Sequence, residues 1–282
     1  MTASNIITKA SGERVPFSAH KLENSLKRAG AAAPVIDEIV KKVTNSLFEG
    51  ITTREIYHIA FELLKNKTSS SAAKYKLKHA IMELGPSGFP FEKYFAEILK
   101  HQGFKTKVDQ VVQGHCVSHE IDVIAEKGEK YFMVECKFHN QTGFVCDVKI
   151  PLYIQSRFKD VEYSLNRMPD QNSKFHQGWV VTNTRFSSDA IQYGNCVGLH
   201  LVGWNHPHNG SLRDQIDQSG LYPLTCLTTL RDEEKASLLS AGIVLSKEFT
   251  HNQAPLSKIG ISPERITAIV KESSEICAGG LR

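Results

Sequence analysis

Apolar positions recur at helical spacing at Ile36, Ile39, Val40, Val43 and Leu47, and again at Ile56, Ile59, Ala60, Leu63 and Leu64. Both runs predict amphipathic helices. Ahead of them, residues 6–9 and 14–17 read as short strands around the turn Ser11-Gly12-Glu13, and Ser18 is placed to N-cap a helix over about residues 19–29. Gly50 ends the second helix, Thr52 or Thr53 caps the third, and a fourth spans about residues 70–84 before Gly85-Pro86. A further helix is predicted over 90–101, with Phe91, Phe95, Ile98 and Leu99 on its apolar face, then a strand at 103–108. The pattern then becomes β: residues 120–125 and 131–137 are apolar, β-prone arms joined by a charged turn holding Gly128. A helix over about 148–166 uses Ile150, Ile154, Phe158 and Val161 as its apolar positions and carries Lys149, Gln155, Arg157, Lys159 and, just beyond, Arg167. A buried strand at 178–183, a helix at 186–194 and a strand at 199–204 follow. From Ser211 onward, two helical patterns surround Gly242-Ile243 and Gly260-Ile261.

The linker signal Gly85-Pro86-Ser87-Gly88 and the change of pattern near residue 208 divide the 282 residues into three segments, 1–87, 88–208 and 209–282. Charged residues make up 23% and hydrophobic ones 41%, a soluble globular profile. No apolar run is long enough for a membrane span, and the first residues lack the basic-then-apolar order of a signal peptide. Six cysteines stand at 116, 136, 146, 196, 226 and 277 without a Cys-x-x-Cys pair, which fits reduced thiols in a cytoplasm. Net charge is +4, a bias that permits a nucleic-acid partner without requiring one. The basic excess is concentrated in residues 1–88, with 13 Lys and Arg against 8 Asp and Glu.

Three charged residues interrupt the apolar arms of the hairpin. Asp122 sits among Ile121, Val123 and Ile124, and Glu135 and Lys137 flank Cys136. Strand alternation points Glu135 and Lys137 to the same face. With a turn at 127–130, Asp122 lies directly across from Glu135, their Cβ atoms about 5 Å apart. Carboxylates that close repel each other unless a cation lies between them. Oxygen donors suit Mg²⁺ or Mn²⁺. The simpler reading of Glu-x-Lys on a strand is a solvated charged face, but Asp is depleted from strands.

Asp122, a hairpin and Glu135-x-Lys137 resemble the PD-(D/E)xK nuclease motif in its Mrr-like, restriction-endonuclease-type form, although Ile121 stands where the family often has Pro. The resemblance covers about residues 88–206. It implies an α/β/α mixed sheet, Asp122 and Glu135 as metal ligands with the carbonyl of Cys136 as a third, and Lys137 as the catalytic lysine. It also implies a helix-borne acid, Glu92, near the metal and a glutamine, Gln155, near the lysine. The pairs Cys116/His119 and Cys136/His139 lack the partner spacing of a structural zinc site.

The first segment resembles an ATP-cone, the small nucleotide-binding domain of ribonucleotide reductases and their repressor. The residues that carry this are 7–12 (Ile-Thr-Lys-Ala-Ser-Gly), 17–22 (Phe-Ser-Ala-His-Lys-Leu), 51–56 (Ile-Thr-Thr-Arg-Glu-Ile) and 73–78 (Ala-Lys-Tyr-Lys-Leu-Lys). The resemblance implies Lys9 and Lys21 at phosphates, Ser18 and Thr53 nearer base or ribose, and Lys78 where the family often has Arg. The third segment is similar to a helix-hairpin-helix module, or is a small helical bundle. Together these readings give a multidomain α/β chain: a mostly helical cone, a central nuclease-type sheet and a helical C-terminal unit. The expected function is a metal-dependent DNA endonuclease with ATP or dATP as regulatory ligand, and cutting both strands would favour a homodimer. The alternative is a nucleotide-regulated DNA-binding protein on a nuclease fold that does not cleave. No Gly-x-x-x-x-Gly-Lys-Ser/Thr loop is present.

Overall fold

The computed structural model describes residues 5–141, 143–165 and 175–278. The chain divides into two compact units, one holding the residues up to Ala80 with Tyr222–Leu238 and the stretch from Leu245 onward, the other holding Ile81–Leu221 and Leu239–Val244.

In the first unit, β1 (Ile6–Thr8) and β2 (Arg14–Pro16) form an antiparallel pair followed by α1 (Ala19–Arg28), α2 (Ala33–Asn45), α3 (Thr53–Lys65), α4 (Ser69–Tyr75) and α5 (Leu77–Met82). Ser18 caps α1, accepting the Lys21 N–H, and Thr52 rather than Thr53 caps α3 in a capping box with Glu55. Leu22, Leu26, Ile36, Ile39, Val43, Ile56, Ala60 and Leu64 form the core that the helical spacing anticipates. The single helix expected over 70–84 is two helices, broken at Lys76. There the chain meets the C-terminal segment, and Lys76 Nζ donates to the carbonyl of Thr225 at 3.2 Å. Thr225 in turn donates its buried hydroxyl to the carbonyl of Ala80 at 2.7 Å.

The second unit starts with α6 (Phe89–His101). Next come β3 (Lys105–Gln113), β4 (Ser118–Lys127), β5 (Lys130–Lys137), β6 (Val145–Cys146) and α7 (Lys149–Leu165), then β7 (Phe175–Thr182), β8 (Arg185–Phe186), α8 (Ser188–Val197), β9 (His200–Val202) and α9 (Leu212–Ser219). The main sheet has the order β3-β4-β5-β7-β9. Its first three strands run antiparallel, and β7 and β9 run parallel to β5. The hairpin turns as expected, with Lys127 paired to Lys130 and Gly128 at φ +62°. Phe104, just past α6, packs edge-on against Phe132 and Trp179 on one face of the sheet. Ile154 of α7 and Ala190 of α8 pack against Val180 and Leu201 on the other. α8 begins two residues later than the pattern suggests because Ser187 caps it, accepting the Ala190 N–H at 3.1 Å. Asn166 and Arg167 lie outside the described residues.

The remaining elements are α10 (Asp232–Ser240), α11 (Glu248–His251), α12 (Ala254–Lys258) and α13 (Pro263–Cys277). α13 packs on α4 as well as on α11 and α12. Within the third segment of the sequence, Tyr222–Leu238 and the stretch from Leu245 lie in the unit of the first segment, while the residues up to Leu221 and Leu239–Val244 lie in the other. Among the described residues no helix is long and apolar enough to cross a membrane.

Candidate active site

The β4–β5 ladder ends at the Val123–Val134 rung, one residue short of Asp122 and Glu135. Asp122 fills the gap by accepting the Cys136 N–H on Oδ2 at 2.6 Å. Glu135 is not on a solvated face: it is fully buried. Its Oε2 takes the Nη1 of Arg157 and lies 3.7 Å from Lys137 Nζ. Its Oε1 is buried without a hydrogen-bond partner. Lys137 is half-buried, and its carbonyl accepts the Thr182 hydroxyl at 2.8 Å. Asn183 holds the next stretch of chain, accepting the His139 N–H at 2.9 Å and donating to the His139 carbonyl at 2.6 Å.

Burial dominates the electrostatics. It pushes the Glu135 carboxyl up to about 7, with the Asp122 charge adding and Arg157 and Lys137 opposing. Asp122 is also raised by burial, against the pull of the Cys136 N–H and of Lys137. Glu92, in the first turn of α6, is raised to about 7 by burial and then by Asp122, which places it in the same field.

Gln155 and Arg157 flank the buried stripe of Ile154, Phe158 and Val161 on opposite borders of α7. Helical spacing alone does not choose between them. Arg157 is the one that reaches Glu135, while Gln155 has a buried Oε1 without a partner. Two acids escaped the sequence reading. Asp109 is the one non-glycine residue with positive φ among those described, at +54°, and it interrupts the β3–β4 ladder opposite Asp122. Its carboxyl is hydrogen-bonded to that of Glu120, which is raised in consequence. A lone Asp in Lys107-Val108-Asp109-Gln110-Val111 was the available signal.

His119 and His139 have partners within the unit. His119 binds Asp160 at 2.7 Å, and His139 stacks on Phe144 with ring centres 5.2 Å apart. Asp160 also accepts the Cys116 and Val117 N–H groups, at 2.8 and 3.3 Å. This is possible because position 114 is glycine: a Cβ there would stand 2.2 Å from Asp160 Oδ2 and 2.6 Å from the Val117 carbonyl. Gly114→Ala is expected to cost about 1–3 kcal/mol and to lower the melting temperature by several degrees. Calorimetry checks this, and a variant melting like the parent would contradict it.

Among the described residues no three His, Cys, Asp or Glu side chains are grouped to hold an ion by themselves. Asp122, Glu135 and the Cys136 carbonyl offer a different set: hard oxygen donors, one of them a buried carboxylate oxygen without a partner. That set fits Mg²⁺ or Mn²⁺, which are commonly bound through one or two carboxylates with water and phosphate completing the shell.

In the cone, Lys9 pairs with Glu13 at 2.8 Å on the surface. β1 bridges Thr52 in parallel at Thr8, so Lys9 follows the residue that meets the start of α3 with Thr53, while the register Ile6↔Pro16 and Thr8↔Arg14 puts the capped start of α1 with Ser18 and Lys21 at the other end of the β1–β2 pair. Lys78 stands on α5 beside His79, whose ring stacks on Tyr57 of α3 with centres 4.0 Å apart.

An ATP cone domain model matches residues 5–80, a Restriction endonuclease model matches 85–204, and an AF1548-like, C-terminal model matches 222–277. An uncharacterized protein of Archaeoglobus fulgidus is 35% identical over 182 residues, covering 64% of this chain and 98% of that protein. The chain belongs to the AF1548-like family. A crystal structure titled as the protein of unknown function AF1548 has a TM-score of 0.57 and 33% identity, covering 69% of this chain and all of that one. In this AF1548-like chain an ATP-cone precedes an Mrr-type restriction-endonuclease domain, with the family's helical C-terminal segment after both.

Proposed function

We propose that this protein is a Mg²⁺- or Mn²⁺-dependent DNA endonuclease whose cone unit senses ATP or dATP. One observation carries the reading: the fully buried Glu135, with the half-buried Asp122 adding to its field, keeps a carboxylate oxygen without a partner beside Lys137. A protein that only binds polyanionic DNA gains nothing from such a pair, which costs burial energy and repels phosphate.

Asp122, Glu135 and the Cys136 carbonyl would hold the ion. Once bound, it would supply Lewis acidity at the scissile phosphate and a water of lowered pKa. Lys137 would orient that water and offset charge on the phosphate oxygens. Thr182 fixes the Lys137 carbonyl, which limits how far the backbone below that amine can drift. Glu92, whose carboxyl burial raises to about 7, would exchange a proton in the same field. Lys149 and Lys159 on α7 would contact the DNA backbone. Lys9, Lys21, Ser18, Thr53 and Lys78 would receive the nucleotide. Six free cysteines suit a reducing cytoplasm. Cutting both strands would need two copies or two successive events.

The test is nicking of supercoiled plasmid in Mg²⁺ or Mn²⁺, with and without ATP and dATP. Cleavage is expected, to be lost by about 10²-fold or more in Lys137→Ala, and to respond to nucleotide in the parent but not in Lys21→Ala. DNA binding without nicking on plain, methylated and branched substrates would instead support a regulatory protein on a nuclease fold.

A further inference from the structure

Arg157 has more anchors than an ion pair requires. Its Nη1 meets Glu135 Oε2, its Nη2 meets the carbonyl of Glu120, and its Nε lies 3.5 Å from His119 Nδ1. If Nδ1 accepts from Arg157, the ring proton is on Nε2, where it is donated to Asp160 at 2.7 Å. Asp160 is itself fixed by the Cys116 and Val117 N–H groups. A chain of contacts therefore runs from the 114–117 turn through Asp160, His119 and Arg157 to one oxygen of Glu135. All three linking side chains are nearly buried, at 11–14% exposed. The guanidinium also ties β4 to β5 where their ladder stops, at the fork that Asp122 fills from the other side.

We infer that Arg157 is a positioning residue for the metal site. Its fork clamps Glu135 Oε2 so that Oε1 is left as the oxygen presented to a divalent cation, and the Asp160–His119 pair braces the fork. The inference rests on the metal-dependent reading above. A planar fork is required, because one group must reach a carboxylate and a backbone carbonyl at once. Lysine keeps the charge and loses that geometry. Groups that orient a metal ligand are worth about 10–100-fold in metal affinity.

The experiment is Mn²⁺ binding without DNA, read by electron paramagnetic resonance and calorimetry on the full chain, with folding checked by thermal melting. Asp122→Asn serves as the reference without a site. Arg157→Gln is expected to weaken Mn²⁺ binding about tenfold or more, Arg157→Lys nearly as much, and Asp160→Asn a few-fold with Arg157 untouched. If Arg157→Gln does not fold, the lysine and Asp160 variants carry the test. Folded variants that bind Mn²⁺ as tightly as the parent, with only a lower melting temperature, would overturn the inference and leave Arg157 a strut. A parent protein that binds Mn²⁺ no better than Asp122→Asn would overturn the metal reading itself, and the inference with it.

Discussion

Replacing Glu135 with Gln is expected to abolish cleavage and also to stabilise the metal-free protein above pH 7. The loss of cleavage follows from removing a ligand charge whose ion supplies several kcal/mol of transition-state stabilisation, on the order of 10³-fold or more in rate. The gain in stability follows from proton linkage. The Glu135 carboxyl lies near 4.5 when exposed and at about 7 in the folded protein. Between these values the folded state holds the extra proton. The stability that this group contributes is therefore complete below pH 4.5 and is lost as pH rises through 7. Gln never ionises and still offers an acceptor to Arg157. The difference in stability between variant and parent should thus grow from pH 5 to pH 8, by up to about 3 kcal/mol. His139, His200 and His206, lowered chiefly by burial, tilt stability the opposite way. They are common to both proteins and cancel in the difference. Urea melts in EDTA across this range are the measurement. A difference that stays flat with pH would mean that Arg157 keeps Glu135 ionised throughout, and the burial account would fail.

The second large effect lies far from the chemistry in sequence. Glu272 of α13 is nearly fully buried. It accepts the Thr228 and Thr229 N–H groups at 3.0 Å each and both hydroxyls at 2.7 Å. Glu272→Ala leaves two buried backbone donors without acceptors, and each such group costs about 1–3 kcal/mol. The expected loss is about 3 kcal/mol, a fall of roughly 10 °C in the melting temperature of this unit. The same measurement on Glu275→Ala, an exposed neighbour on α13, should move by less than about 0.5 kcal/mol. Equal effects at the two positions would show that the carboxylate is not an anchor. Arg265 supports the same turn, pairing with Glu234 and donating to the Thr229 carbonyl at 3.0 Å. The C-terminal segment is thus built on buried polar anchors, which helical spacing of Leu and Ile does not reveal.

The amino-acid sequence by itself determined the order of elements, because period and punctuation are local properties. Two amphipathic helices, a hairpin turning at Gly128 and the alternation that puts Glu135 and Lys137 on one face are all written in neighbouring residues. The hairpin register predicts Asp122 across from Glu135, but the ladder stops one rung earlier, where Asp122 accepts the Cys136 N–H. Tertiary structure decided the rest. That Glu135 is buried depends on α7 covering its face of the sheet. That Arg157 rather than Gln155 clamps it depends on how α7 is rotated, which a border position on a helix leaves undetermined. Asp109 joins the acidic surroundings through a positive φ that no periodicity announces. The C-terminal segment meets the first one where α13 packs on α4 and where the buried Thr225 hydroxyl reaches a carbonyl 145 residues away. Hydrophobic spacing reports which face of an element is buried; what that face meets is set by contacts between residues distant in the chain.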